Sequence, residues 1–471
     1  MNTYIKSQNP TILVIFGVTG DLSRKKLLPS ILHLYRQEVL PKQFKVIGFS
    51  RRSWSDKDFR QEVRHILHLS KKSEKDKNFL KMFSFQGGFF NSISSYKALT
   101  KKVDAINDSW KVCTSILFHL AVPPHYYPEI LKNLSRHGLT SKCGPKVGWS
   151  RVLVEKPFGN DFDTSVKLDE YLGKIFKEKQ IFRVDHYLAK DTIQDILVFR
   201  FSNSIFEPMW NHKYIEKIEI NMLEKGDIKN RGEFYDSYGA LRDVGQNHLL
   251  QMLALITMEN PEKLDSDSIR QQRARVIESL VPIEPENLKK SVIRGQYNGY
   301  RKVKNVLPKS TTETFFKIIA SISSQRFRGV PIHIESGKAL RETKTEISVY
   351  FKAPQPCLSC PTNEIHKFHQ NVIRFRIQPH DGISIRFWTK KPGLDATLEQ
   401  KHFRFLYKKN GVNLSGYEKL LYDAIMGDQS LFASTQEVRA AWRFITPIIK
   451  NWHSLPLHIY KKGSKSVIGN Q

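Results

Sequence analysis

Two short clusters hold the residue types best suited to chemistry. Asp185-His186-Tyr187 and Lys190 place four polar functions within six residues, at the end of the apolar run that starts at Ile181. A phosphate needs cationic and hydroxyl donors converging from several directions, and His186, Tyr187 and Lys190 supply both kinds. Asp243 and Gln246-Asn247-His248 form the second cluster. They stand at the head of a stretch whose Leu249, Leu250, Leu253 and Ile256 carry helical spacing. Histidine titrates near neutral pH and is the readiest acceptor for a hydroxyl proton. Such a base needs a carboxylate on its other ring nitrogen to fix its tautomer. Asp185 and Asp243 both qualify by chemistry, and spacing does not choose between them. The plain alternatives are a charged hinge loop for the first cluster and a satisfied core histidine for the second. Lys156 stands between Glu155 and Pro157. The proline biases it toward extended backbone and permits a cis peptide bond. It is a credible substrate ligand, against the simpler reading of a strand-end turn.

A third feature lies near the start. Thr11-Ile-Leu-Val-Ile-Phe16 is almost wholly apolar, as a strand buried on both faces should be. Gly17-Val-Thr-Gly20 follows, then helical spacing over Leu27–Leu40. Strand, glycine turn and helix are the context in which a loop cradles a dinucleotide pyrophosphate. The spelling Gly17-x-x-Gly20-x-x-Ser23 departs from the usual fingerprint and is also that of an ordinary glycine turn. The second strand, Phe44–Phe49, ends in Ser50-Arg51-Arg52, where an enzyme using NAD carries an acid. A guanidinium suits the extra phosphate of NADP, and Ser50 adds a hydroxyl.

These residues need a scaffold. Further strands are expected at Ser115–Leu120, Val152–Val154 and Ile181–Asp185, with helices near Asp58–Leu69 and Tyr127–Leu134. The repetition predicts an α/β Rossmann-like dinucleotide-binding domain over residues 1–188. Residues 189–471 read as a larger α+β domain with a mainly antiparallel sheet. Its expected strands are Ile215–Met222, Phe315–Ser321, Glu346–Phe351, Val372–Ile377, Gly382–Trp388 and Phe403–Tyr407. Asp243–Ile256 reads as one helix, followed by helices Tyr417–Met426 and Gln436–Ile449. The length of 471 residues supports at least two such domains. The net charge of +29 attracts anions, but the basic residues are dispersed, which argues against a nucleic-acid groove. There is no secretory segment and no apolar stretch of membrane-spanning length. Four cysteines do not make a disulfide scaffold, so a soluble protein of a reducing, cytoplasmic compartment is expected.

Seven blocks go further. They are Gly17-Val-Thr-Gly-Asp-Leu22, Glu155-Lys-Pro-Phe-Gly159, Arg183-Val-Asp-His-Tyr-Leu-Ala-Lys190, Arg242-Asp-Val-Gly-Gln-Asn-His-Leu-Leu-Gln251, Arg294-Gly-Gln-Tyr297, Gly337-Lys-Ala-Leu340 and Lys390-Lys-Pro-Gly393. On them the chain resembles the glucose-6-phosphate dehydrogenase family over nearly its whole length. The resemblance implies oxidation of glucose 6-phosphate at C1 to 6-phosphogluconolactone with reduction of NADP, the entry step of the oxidative pentose phosphate pathway. It implies that His248 is the general base and Asp185 the carboxylate that supports it. It assigns His186, Tyr187 and Lys190 to the phosphate, and Lys156, Glu224, Asp243 and Lys338 to the rest of the substrate. It assigns Gly17, Gly20, Asp21, Leu22, Ser50, Arg51 and Lys156 to the cofactor. It implies a homodimer or homotetramer built through the large sheet, and no resident metal. The rival reading, a non-catalytic NADP-binding regulatory homologue, predicts loss of His248, Asp185 or Lys190, and all three are present.

Three departures from the family pattern stand out. Thr343 occupies a position that is often basic, with Lys344 as an imperfect substitute. Asp191 follows Lys190 in a loop that lacks the common glutamate. The chain ends soon after Tyr460, so the second, structural NADP site of animal members is not carried over. Separately, Cys357, Cys360, His366 and His369 have the types of zinc ligands, but the short spacing and flanking prolines favour uncoordinated thiols.

Overall fold

The run Thr11–Phe16 forms strand β1 and is buried along its whole length. It sits at the centre of a parallel sheet with β2 (Phe44–Ser50), β3 (Phe83–Gly87), β4 (Ser115–Leu120), β5 (Ser150–Val154) and β6 (Ile181–Val184). Their order is 3-2-1-4-5-6, the doubly wound arrangement of a dinucleotide-binding sheet. Phe16 pairs with Phe49 on one side and Leu120 on the other, so the three strands end level. Gly17, Ser50, Lys156 and Asp185 therefore all emerge at the carboxyl edge of one sheet. Ligands bind at that edge in open α/β sheets.

The chain is described here by a computed structural model over residues 7–140, 148–229, 231–354, 369–394, 397–407 and 416–467. Cys357, Cys360 and His366 lie outside the described residues. His369 packs its ring edge-on to Trp388, and no group of His, Cys, Asp or Glu able to hold a metal occurs among the described residues. Cys113 is disulfide-bonded, which the expectation of a reducing compartment did not foresee. No helix among the described residues is long and apolar enough to cross a membrane.

The second half builds a nine-stranded sheet. Its strands are β7 (Ile215–Leu223), β8 (Val292–Tyr297), β9 (Phe315–Ala320), β10 (Ile332–Gly337), β11 (Lys344–Phe351), β12 (Val372–Gln378), β13 (Gly382–Lys390) and β14 (Leu398–Leu406), with β16 (Leu457–Tyr460) at the far edge. All neighbours are antiparallel except β7–β10 and β8–β16. Alternation divides the sheet by face. Ile218, Ile220 and Met222 with Ile332, Ile334, Ile347 and Val349 are buried on one face, and Leu241–Leu249 packs against β7 and β10. The opposite face carries Glu219, Glu335, Lys344 and Glu346.

The stretch Asp243–Ile256 is not one helix, as its apolar spacing predicted. Leu241–Leu249 is wound as a π-helix and continues as the α-helix Leu250–Thr257. The α-helical spacing of the apolar residues begins only at Leu249, so it says nothing about the winding before it.

The two halves are sewn together by a crossing strand. β15 (Phe432–Ala433) belongs to the later sequence but pairs antiparallel with β6 in the first sheet. Beside it, the buried Arg183 holds Asp169 at 2.8 Å, Glu178 at 3.0 Å and the Thr435 hydroxyl at 2.6 Å. Arg273 is bonded to Glu437 at 2.8 Å, both fully enclosed. Removing one partner of such a pair strands a buried charge, at a cost of about 3–5 kcal/mol.

Candidate active site

The first wall of the site is the glycine loop. Gly17 has φ +81°, donates to the Phe49 carbonyl at 2.9 Å, and has no room for a side chain. A Cβ there would lie 2.4 Å from the Ala121 carbonyl oxygen. The Gly20 N–H bonds the Gly17 carbonyl at 2.9 Å, and the Ser23 hydroxyl bonds the same oxygen at 3.1 Å. The helix that follows starts at Asp21, so its free N–H groups face the carboxyl edge. Asp21 is exposed and paired with Lys25 at 2.7 Å, while Leu22 packs into the core. At the end of β2, Ser50 is buried and accepts the Arg52 N–H at 3.3 Å. Arg51 is exposed beside it.

The second wall is the end of β5. The Lys156–Pro157 bond is cis. Lys156 Nζ donates to the Asp243 carbonyl at 2.6 Å and to its carboxylate at 3.2 Å. The preceding Glu155 accepts from buried His119 at 2.9 Å and from the Tyr417 hydroxyl at 3.2 Å. The sequence offered no sign of that trio.

The floor joins the two polar clusters. His248 Nδ1 lies 2.5 Å from Asp185 Oδ1, across 63 residues of chain, and each residue is 1% exposed. The same oxygen accepts the Tyr187 N–H at 3.0 Å, and Asp185 Oδ2 has no partner. Burial pushes the Asp185 carboxyl up, but His248 and His186 outweigh it and hold it below the usual range. Burial pulls His248 below its ordinary value, and Asp185 only partly opposes this. The favoured state is therefore a carboxylate beside a neutral imidazole with its proton on Nδ1. Nε2 is then left as an open acceptor.

The phosphate candidates surround this base. The rings of His186 and Tyr187 stand 4.7 and 4.4 Å from that of His248. Burial, with His248 and Lys156 nearby, holds His186 down at about 3, so it is neutral. Burial pushes Tyr187 up to about 12, and its hydroxyl stays protonated while bonded to Thr345. Lys190 caps the next helix, Asp191–Phe201, with its N–H on the Tyr187 carbonyl at 3.0 Å.

Asp243 projects from the π-helical turn. Burial pushes its carboxyl up, but Lys156, Lys338 and Arg231 outweigh this and hold it at about 2. Lys338 forms an ion pair with Glu224, and the Glu224 N–H reaches the Gly337 carbonyl at 2.9 Å. Lys344 does not stand in for the missing basic residue at 343. Alternation along β11 turns it away from the side that Thr345 presents to Tyr187, and its Nζ lies 3.9 Å from Glu342. Thr343 is exposed, and its hydroxyl accepts the Lys225 N–H at 3.1 Å.

A dinucleotide loop at the carboxyl edge of one sheet, opening on a buried carboxylate–imidazole pair ringed by cations, defines a dinucleotide-dependent oxidoreductase. Two family models cover the chain. The NAD binding domain of glucose-6-phosphate dehydrogenase matches residues 14–195, and the C-terminal domain of the same enzyme matches residues 197–468. The chain belongs to the glucose-6-phosphate dehydrogenase family. It is 38% identical over 465 residues to glucose-6-phosphate 1-dehydrogenase of Borreliella burgdorferi, covering 96% of this chain and 94% of that one. It is 36% identical over 457 residues to the Bacillus subtilis enzyme, covering 94% and 92%. Among solved structures, a glucose-6-phosphate dehydrogenase in complex with its substrate glucose 6-phosphate superposes with a TM-score of 0.89 at 32% identity, over 99% of this chain and 97% of that one. The Mycobacterium avium enzyme superposes with a TM-score of 0.83 at 30% identity, over 97% and 95%.

Proposed function

We propose that this chain oxidises D-glucose 6-phosphate at C1 to 6-phospho-D-glucono-1,5-lactone, with NADP+ as acceptor. The observation that carries the reading is the His248–Asp185 pair. It leaves an unprotonated ring nitrogen at the meeting point of a dinucleotide loop and a cationic cleft. His248 Nε2 takes the proton of the C1 hydroxyl as C1 loses its hydride. Asp185 stabilises the imidazolium so formed and keeps the ring in register. The nicotinamide, when bound, accepts that hydride. His186, Tyr187 and Lys190 hold the phosphate, and Lys156, Glu224, Asp243 and Lys338 hold the sugar.

The residues present fit NADP. The tight turn at Gly17 leaves no room for a side chain against Ala121, Gly20 leaves the helix start open to the pyrophosphate, and Asp21 and Leu22 offer helix-start N–H groups. The exposed Arg51, with Ser50, suits the 2′-phosphate. We place the domain boundary at 188/189, the protein in the cytoplasm, and its assembly as a homodimer or homotetramer. The large sheet supports the last point, because Phe387, Phe403 and Phe405 on its outer strands are exposed.

An absorbance assay at 340 nm with glucose 6-phosphate tests the reading, comparing NADP with NAD. A rise with NADP is expected. No rise with either cofactor would overturn the activity, and a rise with NAD alone would overturn the role of Arg51.

A further inference from the structure

Asp243 and His248 stand five residues apart yet serve one site. An α-helical repeat of 3.6 residues would set them about 140° apart around the helix axis. Winding Leu241–Leu249 with i→i+5 bonds brings residues five apart toward one face. In this turn the Asp243 carbonyl receives the Lys156 ammonium at 2.6 Å. Such a turn is rare and persists only where neighbours enforce it.

Two buried side chains do so. Glu313, just before β9, is 2% exposed. Its Oε1 accepts the Leu241 N–H at 3.0 Å, its Oε2 accepts the Trp452 indole N–H at 3.2 Å, and its carbonyl accepts the Ala240 N–H at 3.1 Å. The chain turns into the helix at Gly239, with φ +73°, and a Cβ there would lie 2.4 Å from Glu313 Oε1. The helix head is pressed onto the carboxylate, where its first N–H groups need an acceptor. Within the turn, Asn247 Nδ2 donates to the Asp243 carbonyl at 3.0 Å and the Arg242 carbonyl at 3.3 Å. Its Oδ1 accepts the His248 N–H at 2.7 Å. One amide thus ties the backbone of Asp243 to that of His248.

We propose that Glu313 and Asn247 are positioning residues for the oxidation: they hold the π-helical register that puts Asp243 and His248 on one face. The inference rests on the proposed function for its kinetic readout, but not for its spectroscopic one. The test uses the full chain with Glu313→Ala, Glu313→Gln and Asn247→Ala. Turnover of glucose 6-phosphate is measured beside the downfield proton resonance of the His248 Nδ1–H bonded to Asp185. Both alanine variants should lower kcat tenfold or more and shift or abolish that resonance, with dinucleotide Kd within twofold of wild type. Glu313→Gln keeps an oxygen for the Leu241 N–H but turns its NH2 toward the Trp452 indole N–H, so it should recover part of both signals. Alanine variants with wild-type kcat and an unmoved resonance would overturn the inference. So would a glutamine variant as impaired as the alanine one. A wild-type chain that does not turn over would instead overturn the proposed function, and the resonance would still decide the register.

Discussion

The imidazole of His248 and the carboxylate of Asp185 meet at 2.5 Å in a place that water hardly reaches, and Asp185 keeps one oxygen without a partner. Asp185→Asn preserves this shape but removes the charge that supports an imidazolium. Its kcat should fall by about three to four orders of magnitude, as for a triad carboxylate. Dinucleotide affinity should stay within twofold, measured by quenching of intrinsic fluorescence. A variant that keeps a tenth of wild-type kcat would refute the role of Asp185.

The pH profile follows from the same pair. His248 must be neutral to accept a proton, and burial lowers its pKa below the ordinary value near 6.5 despite Asp185. Activity should therefore rise with pH through an inflection below that value and be flat above it. In Asp185→Asn the opposing charge is gone, so the inflection should move lower still. A wild-type kcat/KM profile that still climbs between pH 7 and 8 would contradict the assignment.

Arg51 stands exposed at the end of β2, ready for a phosphate. A charge-assisted bond of about 1.5–3 kcal/mol corresponds to roughly tenfold to hundredfold in affinity. Arg51→Ala should cut the preference for NADP over NAD by about that factor, chiefly through KM for NADP. An unchanged ratio of the two kcat/KM values would show that another group reads the 2′-phosphate.

Lys344 and Thr343 make a contrasting pair. Lys344 faces away from the site, so Lys344→Ala should leave KM for glucose 6-phosphate within twofold. Thr343 bonds the Lys225 N–H, next to Glu224. Thr343→Arg should restore a cation near the sugar and lower KM severalfold at low salt, with the gain fading as salt rises. A rise in KM for Lys344→Ala would reverse this assignment.

Local signals explain what was legible in the sequence. β1 was readable because six residues buried on both faces leave an unbroken apolar run that a glycine ends. β3 was not, because Phe83–Gly87 is short and abuts the helix Glu74–Lys81 without a turn signal. β10 hid for a related reason: His333, Glu335 and Ser336 break its apolar run. The choice between Asp185 and Asp243 as partner of His248 depends on packing between segments far apart in the chain, which no spacing encodes. The family resemblance supplied that choice, and the geometry places Asp185 at the ring while Asp243 bonds Lys156. The π-helical turn was invisible because its residues Leu241–His248 are mostly polar and carry no period.

The crossing strand β15 has a consequence for biosynthesis. β6 is made early, and its outer edge stays bare until Phe432 and Ala433 arrive some 250 residues later. Arg183 meanwhile lacks Thr435, one of the partners that later enclose it. A nascent chain arrested before residue 430 therefore exposes a sticky strand edge and an under-paired cation at once. The dinucleotide-binding half is finished only by the last tenth of the chain, so fragments ending near the domain boundary should aggregate unless chaperones cover that edge.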